Sequence, residues 1–239
     1  MFKICTAFDM EYWKYGYPLL CSVLNKYPTD ICVFGINFTK QDMRRLRRMD
    51  GRIEVFRFEL DIPKNHLEFH KRCYGAKVDA LYKCLETTKD NVALIDADCL
   101  FLDRLDAFEV EFNEGVYDLG VMCRPEKEKE YLKFCSHNVF LRNHERSRVF
   151  VKDWLTCIPH WDHLKFGVGN AYAEQACMHN SYILNRDKIN LLDTSQIDIP
   201  ILHAKGAKYS FHAKYAEVQY DQKCADEISI FETRKDSIL

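Results

Sequence analysis

No stretch of this chain stays apolar for the ~20 residues that a membrane-crossing helix needs, and the N-terminal MFKICTAFDMEYW has no apolar core long enough for a signal peptide. A soluble cytoplasmic protein is expected. An excess of one charge is missing too: 34 Lys and Arg stand against 36 Asp and Glu, a formal net charge of −2. The overall basic footprint of a nucleic-acid binder is therefore absent, and no nucleic acid is expected as a partner. Linkers rich in Pro, Gly or Ser are lacking, as are repeats and low-complexity tracts, so nothing divides the 239 residues and one domain is expected. The eleven cysteines include no CxxC pair. Their number is odd and their positions scatter; Cys5, Cys32, Cys99 and Cys123 sit in apolar patterns where a reduced thiol acts as a small hydrophobe. Free thiols are the expected state.

What is present is an α/β pattern. Apolar residues make up 47% of the chain, enough at this length for a sizeable core. Residues 2–8 (FKICTAF), 30–38 (DICVFGINF), 52–58 (RIEVFRF) and 91–99 (NVALIDADC) read as strands. Helical periods over 11–27, 41–49 and 66–88 alternate with them. Further strands are expected in 117–124, 137–142 and 188–192, and helices in 144–158 and 171–184. Such alternation implies crossover connections and a largely parallel sheet covered on both faces.

In open sheets of this kind, ligands gather outside the carboxyl ends of the strands. Two segments fall there, TAFD at 6–9 and DAD at 96–98. Side chains alternate along a strand, so Asp96 and Asp98 point the same way if the strand runs through them. Two like charges at that spacing repel. A hard divalent cation shared with a nucleotide's phosphates relieves both the repulsion and the cost of desolvation. The plainer alternative is a turn cap at Asp96 and an ion pair at Asp98.

LIDADCLFLDRLDAF resembles the DxD segment of GT-A-fold, nucleotide-sugar-dependent glycosyltransferases, especially glycosyltransferase family 8, which includes the glycogenins and bacterial galactosyltransferases. Three more segments match that family in order. Ala7-Phe8-Asp9-Met10-Glu11-Tyr12 is similar to its A-x-D-x-x-Y pattern, whose strand-to-helix turn holds uracil and ribose. Lys77 lies in a helix before the DxD, where the family carries a basic residue facing the nucleotide sugar. HAKGAK at 203–208 is similar to H-x-x-G-x-x-K, whose His binds metal and whose Gly and Lys contact the diphosphate.

The resemblance implies a single GT-A (Rossmann-like) domain with a mixed, mostly parallel central sheet flanked by helices. Its nucleotide-binding part would span about 1–105, its acceptor-side part about 106–215, and a C-terminal tail 216–239. It implies Asp96, Asp98 and His203 as ligands of Mn2+ (or Mg2+). A nucleotide-sugar donor, a UDP-sugar by resemblance, would be held by Ala7, Phe8, Asp9, Tyr12, Lys77, Asp96, Ala97, Gly206 and Lys208. The acceptor would be a glycan, a lipid-linked sugar or a protein. Retention of configuration is the family's expected outcome.

Each of these residues also has a reading of its own. A glycine lets backbone approach phosphate and a lysine adds a point charge, so HAKGAK suits a pyrophosphate. Asp9 alone also fits a helix N-cap, Tyr12 a half-buried aromatic, His203 a capping histidine and Lys77 a solvated helix residue.

The chain departs from the family at three places. Tyr209-Ser210 replaces the usual Pro-Trp after the last Lys. Ser136-His137-Asn138-Val139 stands for Asn-Ser-Gly-Val, which puts His137 where donor or acceptor would approach. Glu174-Gln175 stands for a DQ pair, with the carboxylate one methylene longer. Glu174, Gln175 and His137 are thus the catalytic candidates: a base for inversion, or groups lining the donor's own face for retention.

Competing functions are weaker matches. A haloacid-dehalogenase-like phosphatase would carry its Asp-x-Asp near the N-terminus, followed by Thr or Val rather than Cys99, with a further acidic motif downstream. A sugar-phosphate nucleotidyltransferase would need a Gly-rich, Arg-bearing loop where CTAFDMEYWK stands. A nucleotide-sugar-binding protein without turnover stays open. MRRLRRM at 43–49 has ordinary amphipathic spacing, with Arg44, Arg47 and Arg48 on one face and Met43 and Leu46 on another. That face is compatible with peripheral membrane contact.

Overall fold

The computed structural model describes residues 1–61, 66–124, 133–160, 173–204 and 220–236. Strands β1 (Phe2–Phe8) and β2 (Ile31–Ile36) are buried at nearly every position, because both faces of the sheet are covered. β3 (Ile53–Phe58) alternates buried and exposed residues instead, as an edge strand does. Among the described residues the main sheet has seven strands in the order β3-β2-β1-β4-β7-β6-β8, with β4 at Asn91–Ile95, β6 at Leu119–Cys123, β7 at Phe134–Leu141 and β8 at Leu191–Asp193. β1 to β4 pair in parallel, β7 runs antiparallel to both neighbours, and β8 is parallel to β6. The expected mixed, mostly parallel sheet is what forms.

The period of two along the strands sorts the core into two layers. Phe2, Ile4 and Phe8 of β1 face α1 (Trp13–Lys26), α2 (Lys40–Arg47) and α4 (Asp106–Glu114). Cys5, Cys32 and Phe34 face α3 (His66–Thr87), α5 (Glu145–Cys157) and α6 (Ala173–Asn185), which include Leu81, Trp154 and Cys177. All eleven cysteines are free thiols and most are buried, as their apolar settings imply. No helix among the described residues is long and apolar enough to cross a membrane.

The strand expected over 91–99 stops at Ile95. Asp96 to Asp98 form a turn, closed by the Cys99 amide donating to the Asp96 carbonyl at 3.1 Å, which redirects the chain into β5 (Cys99–Phe101). The inference that Asp96 and Asp98 share a face through strand alternation is therefore corrected. Aspartate is disfavoured in a ladder and favoured in turns, and here it ends the strand. β5 pairs antiparallel with β9 (Ile201–His203) in a separate two-stranded sheet, setting Cys99 opposite His203.

Helix α4, the β5–β9 ribbon and helix α7 (Tyr220–Asp236) carry no clear period in the sequence and were not anticipated. α7 lies on α1: buried Glu227 accepts hydrogen bonds from Asn25 at 2.9 Å and an ion pair from Lys26 at 3.3 Å, while Phe231 joins the core.

Candidate active site at the carboxyl ends of β1 and β4

The first strand delivers Ala7, Phe8 and Asp9 to the sheet's carboxyl edge. Asp9 caps the one-turn helix Met10–Tyr12, its Oδ1 accepting from the Tyr12 amide at 3.0 Å, so the capping reading is realised. Tyr12 is 45% exposed beside Tyr15, leaving its ring open to a ligand. Phe8 turns its ring into the core against Phe38, with centroids 5.5 Å apart, and offers a ligand only its backbone. Ala7 pairs with Phe34 across β2, and Ala97 is buried in the turn.

Around the turn after β4 the charged groups converge. Lys77, buried on α3, reaches Asp96, Glu174 Oε1 at 2.8 Å and the Ser136 carbonyl at 3.0 Å. Burial opposes its charge, but the two carboxylates override that and hold the ammonium above its ordinary range. Asp96 moves up, chiefly through burial, with Lys77 opposing and Asp98 adding to the rise. Glu174, 3% exposed, is pushed up to about 6 by burial, against the pull of Lys77. Two acids thus share one buried cation.

On the other side of the turn, Asp98 Oδ1 lies 3.1 Å from His203 Nε2, with side-chain exposures of 13% and 11%. The His203 and His137 rings stack, centroids 3.9 Å apart and 22° between planes. Burial, with His203 and Lys77 adding to it, pushes the His137 imidazole down to about 3, so it is neutral at physiological pH. Gln175 accepts from Arg124 at 2.6 Å; that guanidinium also donates to the Phe134 carbonyl at 2.9 Å.

The structure therefore brings together Asp96, Asp98, His203, Lys77, His137 and Glu174, with Gln175 held by Arg124. Gly206 and Lys208 of HAKGAK lie outside the described residues, as do Tyr209-Ser210. Sequence reading missed Arg124, Cys135 and the Ser136 carbonyl. Their proximity depends on the register of β7 against β4 and β6, which no local motif encodes.

The donor set suits a divalent cation. One ligand atom from each of Asp96, His137 and His203 lies within 4.8 Å of the others, and the same holds for Asp98, Cys99 and His203. Carboxylate oxygen with imidazole nitrogen is a combination that manganese and its neighbours accept.

No protein-family model matches the sequence, and no curated protein matches it either. Solved structures do match. The glycosyltransferase GlyE of Streptococcus pneumoniae TIGR4 aligns over 96% of this chain at 13% identity with a TM-score of 0.57; the chain spans 64% of GlyE's length. The galactosyltransferase LgtC, crystallised with donor and acceptor sugar analogs, aligns over 95% of both chains at 14% identity and a TM-score of 0.53. Mouse xyloside xylosyltransferase 1 in its apo form covers 81% of this chain and 86% of its own, at 10% identity and a TM-score of 0.54. The chain has the GT-A fold of these glycosyltransferases and, in its DxD turn and HAKGAK histidine, resembles those of family 8.

Proposed function

We propose that this chain is a metal-dependent glycosyltransferase that moves a sugar from a nucleoside diphosphate sugar, a UDP-sugar in the first instance, to a hydroxyl of a glycan, lipid-linked or protein acceptor, with retention. The observation that carries this reading is the clasp of Asp98, in the turn before β5, with His203 of β9, close to Asp96 and at the carboxyl edge where a nucleotide would lie. The structural neighbours, each a glycosyltransferase, support that reaction class.

Asp96, Asp98 and His203 would hold the cation, which when bound acts as a Lewis acid on the diphosphate. Lys77 fixes the Asp96 carboxylate in place and adds preorganised positive charge close to the leaving group. Tyr12 and the backbone at Ala7 to Asp9 would receive base and ribose, and Gly206 and Lys208 the diphosphate. Glu174 and Gln175 would line the donor's own face. Retention is the outcome that the resemblance to family 8 implies.

A thermal-shift panel of UDP, GDP and their sugars, with and without MnCl2, tests the reading, since a ligand of the folded state raises its apparent stability. The largest shift should come from a UDP-sugar with manganese, and Asp98→Ala should abolish it. Undiminished, metal-independent binding by that variant refutes the assignment. Slow hydrolysis of the UDP-sugar with manganese then separates a transferase from a silent binder, and trapping of a phosphoaspartate would reveal a phosphatase instead.

A further inference from the structure

Three independent features converge on His137. One of its ring nitrogens falls within 4.8 Å of a carboxylate oxygen of Asp96 and a ring nitrogen of His203, whose ring lies beside it. Its backbone is fastened at that place, because the Asp96 amide donates to the His137 carbonyl at 2.9 Å as β7 passes the end of β4. Its Nδ1 sits 2.9 Å from the Cys135 Sγ. With the proton on Nδ1 and directed at that sulfur, Nε2 presents a lone pair. An outer partner on one imidazole nitrogen commonly orients the other toward a metal. Ring stacking alone would explain the proximity of two imidazoles, but not the carboxylate at their edge or the outer partner on Nδ1.

We propose that His137 is a direct ligand of the cation beside Asp96 and His203, giving the site a second imidazole that makes it select transition-series ions over magnesium. The inference rests on the reading of Asp96, Asp98 and His203 as a cation site and deepens it by naming the ion class. Magnesium demands oxygen ligands and sheds water reluctantly, whereas affinity at mixed nitrogen and oxygen sites climbs from manganese to cobalt. The role also differs from that of a base: a liganded imidazole has no lone pair left to take a proton from an acceptor.

Electron-spin-echo modulation of the Mn2+-loaded wild-type protein counts directly bound nitrogens, and it needs no variant. Two imidazole nitrogens are expected; one nitrogen overturns the proposal. Titrations of CoCl2 and MgCl2 into wild type and His137→Ala provide the second arm. Loss of the ligand should weaken cobalt roughly tenfold or more, a loss of the size that follows even from removing a ligand's outer partner, and magnesium by less than about threefold. Equal losses for the two ions, or none, overturn it. If the wild-type protein binds no cation at all, the underlying reading of the site falls with it. One bound nitrogen with cation affinity intact removes His137 alone.

Discussion

The two halves of the sheet deliver residues to the same edge in opposite ways. In β1 and β4, which run parallel, site residues come from the last strand position onward: Asp9 directly after β1, and Asp96 directly after β4. In β7, which runs the other way, they come from the first half of the strand: Cys135, Ser136 and His137. A reversal of one strand thus lets a mid-strand histidine meet a post-strand aspartate, with Ile95 opposite Asn138 fixing the register. Residues after a parallel strand lie outside the ladder of backbone hydrogen bonds. Those inside β7 are bound into the ladder, so site and stability are coupled there.

The largest expected effect comes from breaking the junction between the halves. Lys77→Met leaves Asp96 and Glu174 buried without their cation, and should cost about 3–5 kcal/mol. The pH dependence has a definite sign. A carboxyl whose folded pKa is raised, as that of Glu174 is from 4.5 to about 6, stabilises the fold fully below 4.5 and ceases to do so as pH rises through about 6. The variant's deficit should therefore be greater at pH 7.5 than at pH 5 in urea unfolding with EDTA present. An equal deficit at both values would mean that Lys77 acts through packing.

A finer comparison sets one glycine from each half side by side. A Cβ on Gly35 of β2 would fall 2.2 Å from the ring of Phe38, which is fully buried and has nowhere to swing. A Cβ on Gly120 of β6 would meet Phe112 and Phe140 at 3.3 Å, a gap that a shift of a few tenths of an ångström restores. Gly35→Ala should cost about 1–3 kcal/mol and Gly120→Ala less than half of that, as read from denaturant midpoints. The reverse order would show that the parallel half is the more compliant.

The smallest effect is chemical. Cys157 at the end of α5 has its thiol lowered to about 7, first by a hydrogen bond with Cys177 and then, against burial, by one with Asn180. Most of the other cysteines are buried, and burial raises the thiols of Cys21, Cys99 and Cys135. Iodoacetamide should label Cys157 first, with a rate that climbs through pH 7 and no loss of stability; mass spectrometry of the peptides checks this. Faster labelling at Cys73 or Cys224 would contradict it.

How much of this was legible beforehand follows from the range of each interaction. Strand period, helix period and their alternation are local, so β1 to β4, α1 to α3 and the two-layer core could be read from the chain. DAD and the HAKGAK histidine were visible as types at a carboxyl edge. Their geometry was misread at one point, since the strand was carried through Asp96 where turn chemistry prevails. α4, α7 and the β5–β9 ribbon escaped because their burial is set by partners far along the chain: β5 requires β9, and α7 requires α1.

The sequence by itself determined the α/β alternation, the apolar settings of the cysteines and the pair of aspartates beyond a buried strand, because each depends on neighbours within a few residues. Only the tertiary structure decided that Lys77 is shared by two acids, that Asp98 faces His203, and that His137 stands in their midst. Those pairings are made by strand direction and register, which the non-local ladder of backbone hydrogen bonds settles once the whole sheet has formed.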